Sequence, residues 1–136
     1  MSARLIRIAA LYLVVGVAMG IVMGIVHDFS LAPVHAHINL LGFATLAIIG
    51  AIYKVYPDAA NTRLARVHFW IHTIALPVFM VGLAFALTGH DAFVPVTIVG
   101  ATAVAVGILV FAVNVWLTVR PAGSDAPMNA VARAAA

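Results

Sequence analysis

The chain has 136 residues, 65% of them hydrophobic and 8% charged, with no Cys and a formal net charge of +3. A soluble domain of this size cannot hide so much apolar surface, so the composition indicates an integral membrane protein. Without Cys there are no disulfides, zinc–thiolate centres, iron–sulfur clusters or covalently attached c-type haem. The few basic residues stand at the ends of apolar runs, where they anchor and orient a membrane protein, and no nucleic-acid partner is expected.

Charge-free windows at 8–27, 29–53, 67–90 and 92–119 predict four transmembrane helices, at about 5–27, 31–56, 66–88 and 93–119. Each window reaches the roughly 20 apolar residues that cross a bilayer core of about 30 Å, and none shows the period-two alternation of a barrel strand. Helix 1 follows Arg4 and Arg7 and has no small-x-small cleavage site before Asp28, so it reads as a retained helix and not a secretory signal. Its GVAMGIVMG run puts Gly16, Gly20 and Gly24 on one face, a smooth groove for close helix packing. Ser30 and Pro33 suit the start of helix 2, and Pro57 ends it. Pro77 lies within helix 3, where a bend is expected. Pro95 opens helix 4 and Pro121 closes it.

Short connections imply an up-down-up-down bundle over 1–120, followed by a poorly ordered, Ala-rich tail at 121–136. All seven Lys and Arg fall on one side: Arg4 and Arg7, then Lys54, Arg63 and Arg66, then Arg120 and Arg133. The positive-inside rule places both termini and the middle loop in the cytoplasm.

Polar and ionisable groups are expensive inside an apolar span, which draws attention to VHAHIN at the start of helix 2. His35 and His37 lie two residues apart, a rotation of about 200° on an α-helix, so they face opposite ways and cannot share one metal ion. They can serve two sites flanking one helix. Seven residues on in the same register lie Gly42 and Ala44, small enough to let a flat ring lie along the helix, and Asn39 is placed to hydrogen-bond behind His35. Imidazole is the usual axial ligand of b-type haem and no thiolate is available, so haem b is one reading of the pair; the other, equally open from these residues, is a pair of interfacial histidines satisfied by water or neighbouring helices. His68 and His72 on helix 3 share a face at i, i+4. That spacing allows a divalent metal such as copper, with His72 the stronger candidate and His68 expected to be interfacial beside Arg66 and Trp70. His27 and His90 fall at helix ends beside Asp28 and Asp91.

VHAHINLLGFATLAIIGAIYKVYPD followed by LARVHFWIHTIALPVFMVGLAF resembles the tenth and eleventh helices of the catalytic subunit of the haem–copper oxidase superfamily, which includes nitric oxide reductases. The resemblance spans roughly residues 33–87 and consists of the His-x-His, the Gly-rich run ending in an aromatic-Pro turn, and the HFW start of the next helix. It implies that His35 corresponds to the active-site haem ligand and His37 to the low-spin haem ligand, on opposite sides of the helix. The family subunit arranges its helices as three arcs of four, and this chain supplies one arc. It lacks the copper-ligating His-rich helices and the His-x-x-x-Tyr motif of many oxidases, so it is not expected to reduce oxygen alone.

If arcs are equivalent, three copies rebuild the ring as a homotrimer with one haem b at each heterologous interface, His35 of one subunit facing His37 of the next. The implied setting is a bacterial cytoplasmic (inner) membrane. The implied roles are electron transfer with a redox partner or quinone, or binding of a diatomic gas such as NO or O2. The alternatives are a non-haem metal protein, in which His72 with His68, or the His35 and His37 pair, holds copper or another divalent ion, and a cofactor-free structural or assembly module.

Overall fold

Four helices carry the chain, because every backbone N–H and C=O in hydrocarbon must be satisfied within its own segment. A computed structural model describes residues 1–119, and the expected tail at 121–136 lies outside the described residues. Helix α1 (Ser2–Val26) stops at His27, which turns into the left-handed region at φ 54°. Asp28 Oδ1 then accepts from the Ser30 amide at 2.9 Å and the Ser30 hydroxyl at 2.6 Å, steering the chain into α2 (Ala32–Val55). Pro33 sits in the first turn of α2, where its missing N–H costs nothing.

A single helical turn, Pro57–Ala60, folds across the end of the bundle, and Thr62 caps α3 (Arg63–Leu87) by accepting the Ala65 N–H at 2.9 Å. Helix α3 thus begins three residues before its expected start and runs unbroken through Pro77. A short 3₁₀ turn, Asp91–Phe93, leads into α4 (Val94–Thr118), with Pro95 in its first turn. All four spans are long and apolar enough to cross a membrane, and the large exposed hydrophobics, from Leu11 on α1 to Trp116 on α4, form a surface that only lipid or another chain solvates well.

The helices pack as two antiparallel pairs, α1 with α2 and α3 with α4. Ser2 at the start of α1 donates to the Gly50 carbonyl near the end of α2 at 2.7 Å. The α3–α4 seam is tight enough that a Cβ on Gly100 would stand 2.7 Å from the Phe79 backbone. Buried residues form two clusters. One, at the Arg-bearing end, is built on Leu5, Leu46, Ile49, Tyr53 and Phe69. The other, toward the opposite end, is built on Val34, Ile38, Leu76, Phe79 and Val104.

One buried polar knot ties the pairs together at the Arg-bearing end. Asn114 of α4 donates to the Ala59 carbonyl at 2.8 Å and to the Tyr53 hydroxyl at 3.2 Å, and accepts from the Thr62 hydroxyl at 2.7 Å.

Candidate functional site

His35 and His37 lie in the α-helical first part of α2, Ala32–His37, so the rotation of about 200° holds for them. His35 turns toward α1 and settles over Gly20, where a Cβ would stand 3.0 Å from its Cε1. Asn39 Nδ2 is 3.5 Å from His35 Nδ1 and 3.4 Å from Nε2, too long and too even for a directed bond. Its real acceptor is the His35 carbonyl at 2.9 Å. His37 turns the other way, its ring edge-on to Phe79 of α3 with centroids 5.2 Å apart. His37 Nδ1 lies 2.7 Å from the Pro33 carbonyl; a carbonyl only accepts, so Nδ1 bears the proton and Nε2 keeps its lone pair. Both imidazoles are half-buried, each in a seam on its own side of α2.

Below the histidines the helix changes register. Residues Ile38–Ala44 form a π-helical stretch, with the Thr45 amide reaching back five residues to the Leu40 carbonyl. Polar side chains bracket it. Asn39 takes the His35 carbonyl, and the Thr45 hydroxyl donates to the Leu40 carbonyl at 2.8 Å, both competing with the α-helical ladder. The wider turn carries downstream residues off the α-helical face on which Gly42 and Ala44 were expected to line a flat ring. Gly42 instead receives Tyr12 of α1, whose Cγ would be 2.5 Å from an added Cβ, so its space is taken within the chain. Ala44 is half-buried at the end of the stretch.

Two of the three glycines of α1 are likewise used inside the chain. Gly16 takes Asn39 and Gly20 takes His35, while Gly24 has nothing within 4 Å.

The second pair departs from expectation most. His68 was expected at the membrane surface, yet His68 and His72 are both 0% exposed. The reason is local: α3 starts early behind the Thr62 cap, and the Pro57–Ala60 turn closes over that end with Ala59 at 0% exposure. His68 therefore sits more than one turn inside the helix. His68 Nδ1 donates to the Gly107 carbonyl of α4 at 2.9 Å, and His72 Nε2 donates to the Leu41 carbonyl in the π-helical stretch of α2 at 3.1 Å. Their rings lie 5.3 Å apart, between the two apolar clusters.

His27 and His90 are exposed at helix ends, as expected. Among the described residues no three His, Cys, Asp or Glu side chains gather into a metal-binding group.

Chemically, the site on α2 offers two imidazoles with available lone pairs, pointing apart, at half-exposed seams. That arrangement suits two separate axial ligations and not chelation of one ion. Asn114 escaped the reading of the sequence, although a lone Asn in the apolar run of helix 4 carries the same signal that singled out VHAHIN. Comparison with protein-family models, curated proteins and solved structures finds no match to this chain.

Proposed function

We propose that this chain is a small haem b-binding membrane protein related to the haem–copper oxidases, working in electron transfer or in binding a diatomic gas. The observation that carries this reading is the divergence of His35 and His37 from one helix, with the His37 tautomer set by Pro33 so that Nε2 is free to ligate. The residues fit the cofactor. Each neutral ring keeps a lone-pair nitrogen, both residues are half-buried and not sealed in the core, and His37, whose second nitrogen donates to a carbonyl, has the orientation of an axial ligand. When bound, haem supplies one-electron redox chemistry, or an open coordination position for NO or O2 if only one imidazole ligates.

The chain's own contribution is positional. The Pro33 carbonyl holds the His37 ring in place, Gly20 gives His35 room, and the apolar walls of α1 and α3 limit water at both. A homotrimer in a bacterial cytoplasmic membrane, with both termini cytoplasmic, would pair His35 of one protomer with His37 of the next and give one haem per interface.

The test is the visible spectrum of protein purified after haem-replete expression. We expect sharp reduced bands, about one haem per chain, and a mass in detergent corresponding to a trimer. His35→Ala and His37→Ala should each alter or abolish the spectrum, and a CO-induced shift would mark a five-coordinate iron. Colourless protein under those conditions, or spectra unchanged in both variants, would refute the assignment.

A further inference from the structure

Two buried imidazoles remain outside the haem assignment, and their hydrogen bonding is one-sided. A backbone carbonyl cannot donate, so the Gly107 carbonyl fixes the proton of His68 on Nδ1 and the Leu41 carbonyl fixes that of His72 on Nε2. Each neutral ring then carries a bare lone pair on its other nitrogen. Those two atoms, His68 Nε2 and His72 Nδ1, are buried and have no hydrogen-bond partner among the described residues. Unpartnered buried acceptors are uncommon and carry a real desolvation penalty. Two of them, one helical turn apart on one face, with rings 5.3 Å apart, make a shared guest the natural resolution.

The chemistry of the pair selects the guest. Two metal–nitrogen bonds of about 2 Å each, with each ring centroid about 1 Å behind its nitrogen, set the centroids about 6 Å apart in a linear arrangement. Rings now 5.3 Å apart would part by under about 1 Å, or the N–metal–N angle would bend, to take the ion. Zinc and cupric ions seek about four ligands, and no third His, Cys, Asp or Glu joins this pair among the described residues. A double charge in an apolar interior without a carboxylate to offset it is also strongly unfavourable. Cuprous ion has a filled d shell, one positive charge, and a stable linear arrangement with two nitrogen donors.

We propose that His68 and His72 form a two-coordinate site for a single Cu⁺ ion in the interior of the bundle. The site keeps copper reduced, because oxidation would call for ligands that this interior does not supply. Both ligands belong to α3, and their second nitrogens stay bonded to α4 through Gly107 and to the π-helical stretch of α2 through Leu41. The proposal is independent of haem binding at His35 and His37.

The test uses the full-length, metal-free chain in detergent, anaerobic and with ascorbate, titrated with Cu⁺ from a bicinchoninate complex. We expect one copper per chain and an X-ray absorption edge of low-coordinate Cu⁺ bound by nitrogen. His68→Asn and His72→Gln are the informative variants. Asn can present its amide where His68 Nδ1 donates, and Gln where His72 Nε2 donates, so each keeps the bond to the carbonyl and replaces the imidazole nitrogen donor with, at most, a weakly copper-binding amide oxygen. Each should bind Cu⁺ at least tenfold more weakly while retaining native helicity and a single size-exclusion peak. His90→Ala, at an exposed helix end, should bind as the parent does. Failure of the unsubstituted chain to take up Cu⁺ would mean that the pair shares only a water, and would overturn the proposal. So would undiminished binding by folded His72→Gln, a reading that needs no second variant. An absorption edge of four-coordinate copper on the unsubstituted chain would overturn it too, whatever the variants do.

Discussion

Asn114 is one polar side chain in the apolar run of α4, and it joins three stretches of chain through Ala59, Tyr53 and Thr62. Asn114→Ala leaves the Ala59 carbonyl and the Thr62 hydroxyl without this partner in a water-poor interior. The expected loss is about 1–3 kcal/mol of stability, measured by unfolding in mixed micelles, and a change below about 0.5 kcal/mol would show the knot to be redundant. At the surface, Asp28 behaves differently. The Ser30 hydroxyl, and after it the Ser30 amide, holds the Asp28 carboxyl below its ordinary value. A folded-state pKa below the unfolded one means that the contribution is present above the unfolded value and is lost as pH falls through the folded value. Protection of the Ser30 amide, its exchange rate relative to the intrinsic rate at the same pH, should therefore fall in the acidic range below about pH 4 and converge there with that of Asp28→Asn. Which residues are costly could be read from the sequence, since His35, His37 and Asn114 each interrupt hydrocarbon. Which carbonyl satisfies each could not, because Gly107 reaches His68 from 39 positions away and Leu41 reaches His72 from 31.

The elements were legible to the extent that length and hydropathy decide them. All four spans appear, in order, with short connections. Two things were not legible. The early start of α3 depends on the Thr62 cap and the Pro57–Ala60 turn, local hydrogen-bond choices that hydropathy windows ignore. The π-helical stretch depends on Asn39 and Thr45 competing for carbonyls while Tyr12 and His72 press on the same segment from two sides. Two of the three positions on the glycine face of α1, Gly16 and Gly20, pack against α2, and Gly24 does not. Gly20→Val should push against the His35 ring and destabilise the α1–α2 pair by about 1–3 kcal/mol. A Cβ at Gly24 would meet nothing within 4 Å, and Gly24→Val should leave protomer stability within about 0.5 kcal/mol of the parent. Thermal unfolding of the two variants side by side checks both, and equal effects would contradict the packing described.

At the scale of the whole molecule, α1–α2 and α3–α4 are two hairpins with most of their packing internal to each pair. What joins them is the two buried apolar clusters, which both draw side chains from α2 and α3, together with the bond from His72 to Leu41, the contact of His37 with Phe79, and the Asn114 knot. The wide apolar exterior is what the composition demands of a membrane protein, and burial within one chain leaves much of it for lipid or for further copies.

That hairpin construction bears on biogenesis. A ribosome delivering this chain finishes a complete, mutually packed pair of spans before α3 has emerged, so the first half can enter the bilayer as a unit and await the second. Cutting the gene at exposed Asn61 and producing both pieces together should then yield fragments that copurify in equal amounts. Joining of the halves would become a bimolecular event, with Asn114→Ala slowing it, and recovery of only separate fragments would show that the covalent loop is indispensable.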